Sequence, residues 1–256
     1  MSLPISPVEG GNAASPLATT IAQTTMELRL LARRSENLFV TVVVPLVLLT
    51  FFSVVPAVGQ GGVTFLVPGI LALAVISTSL VNLGISTAFE RSYGVLKRLG
   101  GSPLPRAGLI GAKVATVVIV EVGQFVLIVG LAAVAFGWRA GAGADLLLCV
   151  AAWALGTLAF AGLGLLLAGT LRAEAALAII NGLFLVLLLV GGVVLPVDHL
   201  PGPLADLARV LPAAALSDAL RIGLGATSGS ALPAMVVLAA WAIAATVVAA
   251  RTFRWE

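Results

Sequence analysis

Glu121 is the acidic side chain set deepest in an apolar run of this chain, and Gln124 follows it three positions later. Residues three apart lie on one helix face, so the carboxylate and the amide stand side by side. At membrane depth an ionised group costs on the order of 2.5–3.5 kcal/mol on insertion scales, so it faces protein or water and finds a partner. Two uses are open for it: a polar contact between helices, or a position on a substrate pathway. Asn82 and Asn181 lie in similar runs and are weaker pathway candidates. The remaining chemistry is sparse. His199 is the sole histidine and has no cysteine or second histidine nearby, so no metal site is expected. Cys149, the sole cysteine, reads as a small packing residue and permits no internal disulfide. No Ser-His-Asp set, zinc motif or pair of carboxylates can be assembled at that depth. Catalysis by this chain is therefore not expected, nor a cofactor of its own.

The charges that do occur are bunched. The stretch "FERSYGVLKRLGGSPLPR", residues 89–106, holds Glu90, Arg91, Lys97, Arg98 and Arg106. Residues 90–99 are readable as a short helix. Glu90 and Lys97, like Arg91 and Arg98, are seven apart and share a face, while Tyr93, Leu96 and Leu99 gather on another side. Gly94 either permits close approach or marks a weak point. Gly100 and Gly101 stop the helix, and Pro103 and Pro105 prevent its continuation. Residue chemistry alone leaves two readings level: a docking element with a charged face and an apolar edge, or a solvated loop whose charges set topology.

The elements that must position these residues are membrane helices. Of 256 residues 60% are hydrophobic and only 10% charged, with a mean hydropathy of +1.16, whereas a soluble domain carries about 25% charged residues. A bilayer must serve as most of the solvent. About 20 apolar residues cross its hydrocarbon core as a helix, and such stretches fall at 38–58, 64–88, 109–136, 146–169, 175–195 and 231–250. The predicted fold is thus all-α and integral to the membrane, with six spans in residues 38–256. Pro45 in the first span is tolerable where neighbours resatisfy the freed carbonyl. The hexapeptide "TLRAEA" (170–175) predicts a tight hairpin between the fourth and fifth.

Orientation follows from the basic residues. Eleven lie on one side (Arg29, Arg33, Arg34, Arg91, Lys97, Arg98, Arg106, Lys113, Arg172, Arg251 and Arg254) against three on the other (Arg139, Arg209 and Arg221). The positive-inside rule then places both termini and residues 89–106 in the cytoplasm. With the net charge of +3 so explained, no nucleic-acid partner is called for. Residues 1–20 read as a disordered cytoplasmic tail and show no signal peptide. Residues 21–37 read as a basic amphipathic helix in the membrane interface, with Ile21, Leu28, Leu31 and the following Leu38 near one face and Arg29, Arg33 and Glu36 on another. Trp138 and Trp255 fall near span ends, where an indole can sit at the headgroups. The external segment 196–230 is rich in Pro and Gly. Its apolar stretches 203–211 and 213–223 are too short to cross and fit interfacial or re-entrant helices at the outer mouth. The run "GLGLLLAG" (162–169) looks like a glycine-rich nucleotide loop but lies inside a span with no lysine after it, so it reads as a small-residue packing surface.

The pattern E-R-x-x-G-x-L-K-R-L (90–99), followed by P-L-x-R (103–106), resembles the cytoplasmic segment between the second and third spans of ABC-2 type exporter permeases, including the daunorubicin-resistance type. The stretch "LPVDHLPGPLADLARVLPAAALSDALRIGLG" (195–225) is similar to that family's segment between the fifth and sixth spans, with P-x-x-x-L-P, a helix, a proline and D-A-L-R. It departs at Ala213–Ala215, where many relatives carry larger residues. The resemblance covers nearly the whole chain.

It implies an ABC-2 (type V exporter-like) architecture with an N-terminal interfacial helix and short re-entrant helices before the last span. Residues 90–99 would be a coupling helix docking in a separate ATP-binding subunit. Glu90, Arg91, Lys97 and Arg98 would supply polar contacts, Tyr93, Leu96 and Leu99 apolar ones, and Gly94 room for close approach. Two ATP-binding subunits would hold ATP and Mg, and a second permease copy, identical or paralogous, would complete the pathway in a bacterial plasma membrane. The cargo would be an amphiphilic or lipid-like compound or drug. The chain has no G-x-x-x-x-G-K-[ST] phosphate loop, in keeping with a nucleotide bound elsewhere. Two rivals are an ion- or proton-coupled secondary transporter and a non-transporting membrane assembly protein. Inverted repeats expected of the former are not visible, and the latter does not need the charged stretch.

Overall fold

A computed structural model describes residues 15–33, 35–55, 62–99, 106–193 and 196–253, and all regular structure among them is helical. Helical structure is what a bilayer demands, since every backbone donor and acceptor must be satisfied within the segment. Helix α1 (Pro16–Arg33) leads to α2 (Ser35–Val54). A long rod follows, made of α3 (Gly62–Val75), a wide π-helical turn (Ile76–Asn82) and α4 (Leu83–Ser92), with the short α5 (Val95–Leu99) after it. Then come α6 (Arg106–Phe136), α7 (Leu146–Thr170) and α8 (Ala173–Val190). A 3₁₀ turn (Val197–His199), α9 (Gly202–Arg209) and α10 (Pro212–Gly223) precede the last helix, α11 (Leu232–Thr252).

Among the described residues five helices are long and apolar enough to cross a membrane: Gly62–Ser92, Ala107–Phe136, Leu146–Thr170, Ala173–Val190 and Leu232–Thr252. They coincide with five of the expected spans to within a few residues. Helix α2 answers to the sixth; its apolar part, Thr41–Val54, is shorter. Residues 16–20, expected in the tail, are already helical in α1, because Ser15 caps the first turn by accepting from the Ala18 amide. Residues 35–37, expected in the interfacial helix, belong to α2. Residues 1–14, Arg34, 56–61, 100–105 with the expected helix stop at Gly100 and Gly101, Val194 with Leu195, and Arg254–Glu256 lie outside the described residues, and Trp255 with them. Two residues, Leu171 and Arg172, suffice to turn α7 into α8.

The rod α3–α4 occupies the centre of the bundle, buried along nearly all of α3. Helix α7 reaches its neighbours through glycines. A Cβ on Gly162 would stand 2.9 Å from the Ala245 Cβ of α11, and one on Gly169 would strike the Phe253 ring. The "GLGLLLAG" run is thus a packing surface of small residues, as membrane helices use where apolar side chains gain nothing over lipid. Helix α10 is inserted among α3, α7 and α11 rather than lying on the bundle, and Ala213, Ala214 and Ala215 are buried there. Their small side chains permit the approach: a Cβ on Gly191 would lie 2.7 Å from that of Ala213. Trp138, expected at the headgroups, instead turns inward beneath the positive-φ Gly137 and joins the core.

Candidate functional site

Two groups of polar side chains stand out, one in the middle of the bundle and one at the end where α4 and α5 emerge. The first is built on α6. Glu121 is 0% exposed. One carboxylate oxygen accepts from the Ser79 hydroxyl at 2.6 Å, and the other from the Trp153 indole at 2.6 Å and the Thr157 hydroxyl at 2.7 Å. Gln124, on the same face as expected, accepts from Thr78 at 2.8 Å and donates to the Thr41 carbonyl at 2.9 Å. The pair therefore ties α6 to α2, the wide turn and α7. Of the two uses open for Glu121, this geometry is that of an interhelical contact: both oxygens are engaged and no solvent reaches them.

The second group surrounds Lys113, which is 4% exposed and lies about two turns from Glu121 along α6. Its ammonium bridges Glu27 of α1 at 3.1 Å and Glu90 of α4 at 2.6 Å. Along the sequence Lys113 reads only as a flanking charge. The signal available was its place in an otherwise apolar helix, where a cation must find carboxylates. Arg91 donates to the Leu171 carbonyl in the α7–α8 turn. Glu90 and Arg91, expected as docking contacts, thus have internal partners.

Beyond Ser92 the helix stops at an elbow. Gly94 takes φ +69°, the left-handed conformation that glycine adopts without strain. Gly94 is a weak point in the helix, so residues 90–99 do not form one continuous face. Helix α5 then holds itself by Leu96, 1% exposed, while Lys97 and Arg98 are exposed and Tyr93 is 70% exposed, its ring beside Phe89. Leu96 is an inward anchor and Tyr93, Lys97 and Arg98 are the outward residues. Leu99 ends α5.

Between α1, α2, the wide turn, α4 and α6 lies a cavity of about 650 Å³, with Asn82 on its wall and the Glu27–Lys113–Glu90 cluster at its edge. Asn181 is elsewhere: it sits on the exposed side of α8 and donates to the Leu177 carbonyl of its own helix. At the opposite end of the bundle Arg221 of α10 is buried. It donates to Asp218 at 3.2 Å, to the Val193 carbonyl at 3.3 Å and to the Gly192 carbonyl, and lies 3.8 Å over the Phe65 ring. Burial pushes its guanidinium down to about 10, with Asp218 pulling the other way, so it stays charged at neutral pH. His199 is exposed, and among the described residues no group of His, Cys, Asp and Glu is placed to hold a metal ion.

Long apolar helices around a polar centre define an α-helical, multi-pass membrane protein. Residues 20–224, from α1 to the end of α10, match the family model of the ABC-2 type transporter, and the chain belongs to that family. It is accordingly a permease component of a transporter. No curated protein gives a match to the chain.

Proposed function

We propose that the chain is the permease subunit of an ATP-binding-cassette exporter, driven by a separate ATP-binding subunit that docks on the elbow and α5. The observation that carries this reading is the division of labour within residues 90–99. Glu90, Arg91 and Leu96 are fastened to the bundle, while Tyr93, Lys97 and Arg98 project from it. A projecting polar and aromatic surface on a base fixed to two spans is suited to pass a displacement inward. Helix α2, 20 residues and about 30 Å long, has the length of a sixth span. By the count of basic residues the elbow faces the cytoplasm, and the family resemblance suggests a bacterial plasma membrane. Two permease copies around a shared path and two ATP-binding subunits complete the assembly. The lean charge of the helices and the mostly apolar cavity favour an amphiphilic or lipid-like cargo.

The test is co-purification with a candidate ATP-binding-cassette subunit from the same organism, co-expressed with the permease. Tyr93→Ala with Lys97→Ala and Arg98→Ala should abolish association and ATPase stimulation while leaving the permease's own melting temperature unchanged. Glu90→Ala should lower that melting temperature. Undiminished association in the triple variant would sink the docking assignment.

A further inference from the structure

The wide turn Ile76–Asn82 interrupts a rod of 31 residues that is otherwise α-helical. No glycine or proline between residues 70 and 82 forces it. Such π turns are rare insertions of one extra residue, and they concentrate at functional sites. Here both flanks fit the widened form. Thr78 and Ser79 are sequence neighbours, which an ordinary helix would point about 100° apart. Both nevertheless reach α6, one at Gln124 and the other at Glu121. On the α7 side Gly164 makes room, for a Cβ there would stand 3.0 Å from the Ser79 and Leu80 carbonyls. At the exit the Leu83 amide is shared between the carbonyls of Leu80 and Thr78.

We infer that Glu121 and Gln124 are positioning residues that hold residues 76–82 in the wide form, and that this turn is a register switch setting the rotational phase of α4, the elbow and α5. Tightening the turn to an α-helix rotates everything from Leu83 onward by about 100° and slides it by about 1.5 Å. The contacts below are directional. Glu90 meets Lys113, and Arg91 meets the Leu171 carbonyl, only in the present phase. A rotation of that size removes both, so the two registers exclude one another, as a two-state element requires. What drives the change rests on the permease reading, in which a pull on the elbow tightens the turn. The dependence of register on Glu121 and Gln124 does not rest on it.

Thiol labelling reads the phase in full-length protein in lipid nanodiscs, with Cys149→Ala removing the native thiol. Ala88 is fully buried and Ser86 half-buried. A membrane-permeant maleimide should therefore modify Ser86→Cys and spare Ala88→Cys. Adding Glu121→Ala and Gln124→Ala lets the turn tighten, which moves the protected position back by one residue. Labelling at position 88 should rise several-fold and labelling at 86 should fall. Thr78→Val with Ser79→Ala, which removes only the two hydroxyls, is read in the same way if the first pair does not fold. Unchanged protection at 88 in a monodisperse variant overturns the assignment. Deleting Ser77 removes the extra residue and leaves a straight helix in the present phase. In that variant position 88 should stay protected even without the Glu121 carboxylate, and stimulation of ATP hydrolysis in the co-purified ATP-binding subunit should be lost. Stimulation retained by the deletion shows a static turn and overturns the switch. A failed permease reading gives a different pattern: no ATPase association, with the labelling shift intact.

Discussion

Glu121 receives three donors of unequal versatility. The hydroxyls of Ser79 and Thr157 can also accept, whereas the Trp153 indole can only donate. A glutamine at this position can therefore turn its carbonyl to Trp153 and Thr157 and its amide to the Ser79 hydroxyl, which can accept, whereas alanine orphans all the donors. Leaving a buried donor unsatisfied costs about 1–3 kcal/mol. Glu121→Gln should lower stability by about 1 kcal/mol and Glu121→Ala by about 3 kcal/mol, as read from denaturation in detergent micelles. Equal losses would show that the carboxylate's shape matters more than its hydrogen bonds. The existence of this polar pair was legible in the sequence, because an acid and an amide three apart in an apolar run share a face and must both find partners there. Which partners was not legible, since Ser79 and Thr157 lie 42 and 36 residues away and look like ordinary membrane hydroxyls.

Between elements, glycine placement decides which helices touch. Gly162 faces Ala245 and the backbone of Thr246 closely enough that any side chain must push α11 away. Gly162→Val should cost about 1–3 kcal/mol through overpacking, visible as an earlier melting transition. Gly130→Val, where a Cβ meets nothing within 4 Å, should be silent. A second element-level effect belongs to Arg221, which staples the turn after α8 to the N-terminal part of α3 through the Gly192 and Val193 carbonyls and the Phe65 ring. Arg221→Met should lower stability by about 2 kcal/mol, the value of a charged hydrogen bond, in the same measurement. The sequence presents Arg221 as one of three basic residues on the less basic side. Its burial follows only from α10 sinking between the spans, which Ala213–Ala215 allow.

For the molecule as a whole, sidedness is the property most directly open to experiment. In a Cys149→Ala background, Ser92→Cys beside the elbow and Ser228→Cys before α11 are both exposed and lie at opposite ends of the bundle. An impermeant maleimide added to intact cells should modify position 228 and spare position 92, with the reverse in inverted vesicles. Labelling of 92 from outside would reverse the orientation that eleven basic residues against three imply.

Residue order alone dictates the solvent and the helix lengths. Hydrophobic runs long enough to cross a bilayer are a one-dimensional property, and the need to satisfy the backbone within each run makes them helices. The spans and the two short helices at 202–223 were accordingly readable from residue order, whereas the break at Gly94 was one of two readings left open. Which polar groups meet depends instead on how the helices pack. Lys113 finds Glu27 from 86 residues away and Glu90 from 23 away, and Thr78 and Ser79, within the wide turn, reach Gln124 and Glu121 of α6. Those outcomes depend on the rotational phase of each helix against its neighbours. Phase is set by the fit of many side chains and glycine gaps across interfaces, and no single run of sequence contains that information.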